Sequence, residues 1–481
     1  MTATLTRPAT PQVAGRVATE PARHRTDVAL IAIVVVGSIL RVWNLGASRL
    51  NYDESFTAMA GRLPISHLFG FLARNDSHPP LDYLLHLPLA RAGVSEFWFR
   101  LPSAMFSVAA LALFAWWVRP RGRVAVIATA LMAVSAFQLA HGRDARMYAE
   151  LEFLGVAIAV LASAWIVRPK RWHAPVLGLA VFAGLMTHVS MFLLAAGLLT
   201  LAGRRTDRHA WRWRGAIAAA GLAWLALWGS TFAEQARGGH SSWIPSTTLT
   251  TLTTALARLV SYDPALPLVV VAAAAIGAVI IWRTDRPLGR VLVAVLAVPV
   301  GLAAVAGLFE PVVLDRTFTL MAWAPIVGVA VAIDALLRRQ RVLGVAVIAA
   351  GLCLAVPSAL GVVNRVAGPD TPLRALAARM QPGDIVAVRP RSKAPELQWT
   401  LGVRTASSPA RVRVPGVPRA FALRVGRAEL TGRVFLLDWK HHHLSAAMRT
   451  SSCAPRWSWG NTSIRCLRIP LSISAYPATL E

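Results

Sequence analysis

The stretch RLNYDESFTAMAGRLPISHLFGFLARNDSHPPLDYLLHLPLARAGVSEFWFR, residues 49–100, decides the reading of this chain. It lies between two strongly apolar segments and carries the adjacent acids Asp53 and Glu54, then His78, Pro79 and Pro80 and an amphipathic run. Polar sequence between two runs long enough to cross a bilayer reads as a loop held at a membrane surface. Most of the chain beyond it reads as the hydrophobic helices that hold it there.

The composition agrees. Of 481 residues, 56% are hydrophobic and only 15% charged, and the mean hydropathy is +0.53. A soluble chain carries about a quarter charged residues, so a soluble multidomain enzyme is excluded. The net charge of +27 does not point to nucleic acid. Most of the arginine falls in short loops between apolar runs, where it reports topology and favours anionic headgroups. No P-loop, dinucleotide fingerprint or internal repeat is present, which argues against a nucleotide-driven pump.

Apolar runs bounded by charge predict helices near 27–45, 97–118, 123–140, 147–167, 215–233, 265–282, 291–308, 317–336 and 341–360. The run 174–202 is too long for one span and short for two. Its flanks, RPKRW (168–172) and GRRTDRHAWRWRG (203–215), are both basic and belong on the cytoplasmic side. An even number of crossings then lies between them: two short helices meeting at Thr187 and His188, with a single re-entrant segment as the alternative. The fold class expected is an all-α polytopic membrane protein of about eleven transmembrane helices with a small extracytoplasmic α+β C-terminal appendage. Residues 1–26 are expected to form a disordered polar cytoplasmic tail, 27–360 the membrane domain with a catalytic first outer loop at 46–96, and 361–481 the appendage. In the appendage DIVAVRP (384–390) and RVFLLDWK (433–440) suggest strands and 373–384 a helix. RPRGR (119–123), RPKR (168–171), RRTDRHAWRWR (204–214), RTDRPLGR (283–290) and RRQR (338–341) all fall on the cytoplasmic side. Asp53, Glu54, His78, Asp144, Glu234, Glu310 and Asp315 fall on the other. Cys453 and Cys466 lie in the oxidising compartment, where a disulfide and two free thiols are both open readings, and Cys353 is a small residue of the last helix.

Several groups carry chemistry. Asp53 and Glu54, ionised side by side near the headgroups, repel one another, so one is expected to hold its proton or share a cation. That suits a general base with a metal or proton partner, the alternative being a solvated pair. His78 reads either as a metal ligand beside Glu54 or as a hydrogen-bonding strut. Asp82 and His86, one helical turn apart, are expected to pair with each other or with water. The short loop from His141 to Tyr148 sets Arg143 and Arg146 around Asp144, which suits a phosphate or pyrophosphate or, alternatively, a structural Asp–Arg anchor. Thr187-His188 and Asp315-Arg316 sit at the outer ends of later helices. The triplet 441–443 reads as a solvated loop.

Taken in order, these pieces resemble the GT-C membrane glycosyltransferases, in the branch of protein O-mannosyltransferases and lipid A aminoarabinose transferases. The resemblance is carried by the Asp-Glu pair (53–54), HPPL (78–81), ARMYA (145–149), TH (187–188) and an Arg-aromatic region (316–318), with QPGD (381–384) in the tail. It covers roughly residues 27–360 and the start of the tail. The sequence departs from the family in having Asp82 where an aromatic usually follows HPPL, and Thr317 where Tyr more often follows the arginine. What the resemblance implies is transfer of a sugar, mannose or another hexose or pentose, from a polyprenyl-phosphate donor. The acceptor would be an envelope glycan, lipid or protein on the outer face, and the sugar carbon would be inverted. Asp53 would be the base and Asp144 the second acid, with Glu54 and His78 beside them around a divalent cation as candidate cofactor. Arg143, Arg146, His78, Tyr148, His188 and Arg316 would bind substrate. The enzyme would be a multi-pass plasma-membrane protein with a cytoplasmic N-terminus and an extracytoplasmic C-terminus. The rival class is a transporter or flippase of lipid-linked sugars, which would place charges within its helices and show pseudo-symmetric halves.

Overall fold

A computed structural model describes residues 20–202, 207–237, 244–260 and 267–364, together with the backbone of seven strands beyond them. The first helix, α1 (Glu20–Val42), leads into the outer loop, which is itself helical: α2 (Tyr52–Gly61), α3 (Ile65–Asn75) and α4 (Leu81–Ala92). The long helix α5 (Glu96–Val118) returns across the molecule. Then come α6 (Arg123–Val134) and α7 (Ala136–Arg143), α8 (Tyr148–Val167), α9 (His173–Thr187), α10 (Met191–Ala202) and α11 (Arg208–Arg237). The remainder comprises α12 (Leu249–Arg258), α13 (Pro267–Thr284), α14 (Arg286–Leu292) joined to α15 (Val298–Ala306) by a π-helical turn, α16 (Trp323–Arg339) behind a 3₁₀ segment at Asp315–Met321, and α17 (Arg341–Val363).

Among the described residues, 6 helices are long and apolar enough to cross a membrane, or up to 8 if each bent pair is one span. The predicted run 123–140 is such a pair. It breaks at Ser135, whose side chain accepts from the Gln138 N–H to cap α7, and the two halves meet at 53°. The 3₁₀ segment and α16 form the other, bent by 73°. The run 174–202 divides at Thr187–His188 as the two-helix reading expects, the His188 N–H closing α9 on the Gly184 carbonyl. At about 1.5 Å per residue, neither α9 nor α10 reaches the ~30 Å of a bilayer core.

Burial separates centre from rim. In α8, 61% of the most apolar window is buried, against 22% in α11 and 11% in α13 and α17. Leu222, Leu225 and Leu227 on α11, Val269 and Ile276 on α13, and Val345 and Leu354 on α17 are all exposed. So many outward aliphatic side chains would make a large sticky patch in water; facing lipid, they cost nothing. Where the helices pack most closely they touch backbone to backbone. A Cβ on Gly155 of α8 would lie 1.8 Å from the Leu320 carbonyl oxygen, and one on Gly277 of α13 would lie 1.8 Å from that of Gly328. Small residues are what allow such approach between membrane helices.

The charged loops sort to the two ends. Arg119 pairs with Asp27, Arg121 with Asp285, and Arg123 and Arg338 both with Asp334. These join the ends of α1, α5, α6, α14 and α16 that lie away from the outer loop.

Beyond α17, strands β1 (Ile385–Arg389), β2 (Ala410–Val414), β3 (Val417–Val425), β4 (Arg433–Asp438), β5 (Trp457–Trp459), β6 (Thr462–Arg468) and β7 (Thr479–Leu480) form one mixed sheet. Its order is β2-β3-β1-β4-β6-β5, with β7 on β3; β1 and β4 run parallel. The expected helix at 373–384 and the side chains of Cys453 and Cys466 lie outside the described residues.

The close approach at Gly155 generates a test. Gly155→Leu must push α8 off the 3₁₀ segment, and overpacking of this kind costs about 1–3 kcal/mol. A melting temperature several degrees lower is expected for the variant in detergent, measured by fluorescence-detected size exclusion after heating.

Candidate active site

The outer loop is fastened before it is functional. Asn51 caps α2, accepting from the Glu54 N–H, while the Glu54 side chain accepts from the Asn51 N–H at 2.8 Å. Sequence alone contains this capping box, Asn-x-x-Glu. Glu54 is fully buried. Arg100 of α5 donates to both its oxygens, Nε at 2.6 Å and Nη2 at 2.7 Å, and the Ala145 N–H donates to Oε1 at 2.9 Å. The rest of the Arg100 fork goes to the carbonyls of Leu45, Ser48 and Arg49. Glu54 thus ties the loop, α5 and the 141–148 turn together. Its oxygens are already occupied by these donors and face a guanidinium. It does not fit as a metal ligand, and the expected cation between Glu54 and His78 has no place there.

Asp53 turns the other way. It stands at the N-terminus of α2, where the helix dipole favours an anion. Its side chain is 43% exposed and its Oδ2 lies 3.7 Å from Nη1 of Arg316. The two adjacent acids therefore do not share one cation; each has its own guanidinium, from opposite parts of the chain.

Arg146 organises the floor of the site. It donates at 2.9 Å to Thr57 Oγ1 and to the Tyr83 hydroxyl, with Nη2 3.4 Å from His78 Nδ1, and stacks over the Tyr83 ring. His78 is a strut. Its Nδ1 lies 2.8 Å from Asp76 Oδ1, and the Tyr83 hydroxyl bonds the other Asp76 oxygen. Burial alone would raise the Asp76 carboxyl, but His78, Arg146 and Tyr83 outweigh it and hold the group well below the usual carboxylate range. His188 packs its ring 5.2 Å from that of His78 and engages Ser190 through Nδ1. Burial, with His78, Arg316 and Arg146 nearby, pushes its pKa well down, so the imidazole is neutral. From α11, Gln235 donates to the His78 carbonyl.

The 141–148 turn is divided. Arg143 donates to the Leu40 carbonyl at 2.6 Å, at the end of α1, whereas Arg146 serves Tyr83 and Thr57. The two do not close on one anion around Asp144. Asp144 is half-buried. Burial, then the nearby charges of Glu54 and Asp53 against Arg100 and Arg146, push its carboxyl up to about 8. Tyr148 is buried and packs edge-on against His141. The arrangement therefore offers one exposed carboxylate, a guanidinium beside it, and a carboxyl that holds its proton near neutrality: a base next to an anion-stabilising group.

Sequence reasoning missed Arg100, Asp76, Tyr83 and Thr57. It also missed Arg41, which is fully buried and bonded to Ser107 and three carbonyls, and the buried Glu150 and Glu152. Arg41 is in the last turn of α1, and the two glutamates begin α8. These charges do lie within helices, but at the end that carries the site.

Both acids can be tested through stability. Glu54→Gln leaves Arg100 buried without its counter-ion, which costs about 3–5 kcal/mol for a buried pair. The variant should melt well below both wild type and Asp53→Asn. Asp144, with its folded pKa raised above the ordinary carboxylate value, favours folding most below that value and loses the benefit as pH rises through about 8. Asp144→Asn should therefore gain stability over wild type between pH 6 and pH 9 in parallel melting curves.

No protein-family model and no curated protein matches the sequence. Solved structures do match. The apo crystal structure of ArnT from Cupriavidus metallidurans aligns over 92% of this chain and 98% of its own, with a TM-score of 0.60 at 14% identity. The structure of the same protein bound to undecaprenyl phosphate aligns over 94% and 99%, with a TM-score of 0.58 at 13% identity. The polytopic membrane fold expected from the sequence is the fold found, and this chain shares it with ArnT.

Proposed function

We propose that this protein is a membrane glycosyltransferase that moves a sugar from a polyprenyl-phosphate donor to a hydroxyl of an envelope glycan, lipid or protein. The observation that carries the reading is the exposed Asp53 carboxylate at the head of α2, 3.7 Å from Arg316, in a fold shared with an ArnT structure that binds undecaprenyl phosphate. The reaction would take place at the outer face of the plasma membrane, where nucleotide sugars are not supplied and a lipid-linked donor is. The N-terminus would then be cytoplasmic and the C-terminal sheet extracytoplasmic. Mannose or another hexose or pentose is the sugar we assign.

The chemistry is a single displacement. Asp53 accepts the proton of the acceptor hydroxyl while that oxygen attacks the anomeric carbon. The bond from that carbon to the phosphate oxygen breaks on the opposite face, so the sugar carbon inverts and the polyprenyl phosphate leaves with the electron pair. Negative charge grows on the departing phosphate, and Arg316 is the guanidinium placed to meet it. In the free protein Arg316 faces Asp53. A donor phosphate competes for Arg316 and so leaves Asp53 free to act as base only when donor is bound. Arg146, Tyr83 and His78 fix the floor, the neutral His188 adds a hydrogen-bonding group beside it, and Tyr148 and Arg143 hold the turn that carries Asp144. Asp144, protonated near neutrality, is a second acid that can donate to a substrate oxygen.

Membranes containing wild type or Asp53→Asn are to be given radiolabelled mannosyl, arabinosyl and glucosyl polyprenyl phosphates. Wild type should form a labelled product from one of them, and the variant, accumulating normally, should lose about 10²–10⁴-fold of the rate. Equal rates would remove Asp53 from the role of base.

A further inference from the structure

A second polar cluster lies one turn deeper than Tyr83 and Arg146. Asp82 and His86 stand four residues apart on α4, and Glu150 comes from the first turn of α8. All three are buried, at 0%, 0% and 3% exposure. One ligand atom from each lies within 4.8 Å of the others, and among the described residues this is the group of three or more His, Cys, Asp or Glu side chains with that spacing. The partners such groups normally need are missing. Asp82 Oδ1 is 3.1 Å from His86 Nδ1, which also lies 3.0 Å from the Asp82 carbonyl. Beyond that contact the Asp82 carboxylate oxygens, both Glu150 oxygens and His86 Nε2 have no hydrogen-bond partner. The aromatic ring of Phe99 seals one side, 5.1 Å from the imidazole.

Two carboxylates and one imidazole in a buried site balance their own charge only if one carboxyl keeps its proton beside a protonated imidazole. With both acids ionised the cluster keeps a net negative charge even when His86 is protonated, and buried charge without compensation is strongly unfavourable. A divalent cation removes the imbalance, because it replaces the His86 proton and leaves the group neutral. If Nδ1–H is donated to the Asp82 carbonyl, Nε2 keeps the lone pair, and that nitrogen has no hydrogen-bond partner.

We propose that Asp82, His86 and Glu150 form a divalent-metal site, one imidazole nitrogen and two carboxylates, suited to Zn²⁺ or Mn²⁺. The site is distinct from Asp53, from the Glu54–Arg100 pair and from the His78–Asp76 pair. It clamps the outer-loop helix α4 to α8 beneath Tyr83 and Arg146. Its ligands position the floor of the active site and touch no reacting atom.

The test uses the full chain purified in detergent without chelator. Wild type should carry about one equivalent of Zn or Mn by plasma mass spectrometry, and Asp53→Asn should carry the same. His86→Ala and Glu150→Gln should each lose it. Chelation should lower the melting temperature of wild type, and adding back Zn²⁺ or Mn²⁺ should restore it. If the variants fail to accumulate, wild type alone decides, since Co²⁺ added to the stripped protein should give visible ligand-field absorption of a nitrogen–oxygen site. Wild type without bound metal, unmoved by chelation and colourless with Co²⁺, would overturn the proposal. Metal retained by both variants would overturn it as well.

Discussion

The pairing of Glu54 with Arg100 is the constraint on which the outer face depends. Two fully desolvated charges survive only because every lone pair and nearly every donor between them is used. Arg100 in turn gathers three carbonyls of the 45–49 turn. The start of α2 is thereby fixed against α5, and through Ala145 against the beginning of α8. Asp53, the neighbouring residue, inherits a fixed position without contributing a contact of its own to that lock. Adjacent acids thus divide the work: one is buried and holds the site, and the other stays exposed and available.

A similar division separates the histidines and arginines. His78 is spent on Asp76, and Arg143 on the end of α1. Arg146 is spread over Tyr83 and Thr57, and Arg316 faces the exposed acid. The contact of Arg316 with Asp53 is long and partly exposed, and an ion pair of that kind is more easily displaced by a phosphate than a buried one. Rigid groups set the frame, and the more exposed pair lies beside it.

The buried Arg41, Glu150 and Glu152 bear on the rival transporter reading. Charges within helices are its hallmark, and the chain has them. They lie in terminal turns at the site end, however, and no described cluster crosses the middle of the bundle. They deepen one surface site rather than mark a path through the membrane.

Apolar run length and the basic flanks were legible in the sequence because they depend on near neighbours or on the bilayer's thickness. The division at Thr187–His188 was legible for the same reason, since 174–202 has the wrong length for a single span. The bend at Ser135 was not, because one serine in an apolar run reads as tolerated until its hydroxyl is seen capping α7. Nor was the helical character of 52–75, where propensity is modest and packing under α4 and α11 decides. The site itself was legible only as residue types. Arg100 lies 46 residues from Glu54, and Tyr83 lies 63 from Arg146. No periodicity connects such positions. Sequence determined that this chain builds a membrane bundle with a polar first loop that carries an adjacent acidic pair, through local patterns that the solvent alone enforces. Tertiary packing decided which acid is buried and which is exposed, because that depends on which guanidinium the folded chain brings within reach.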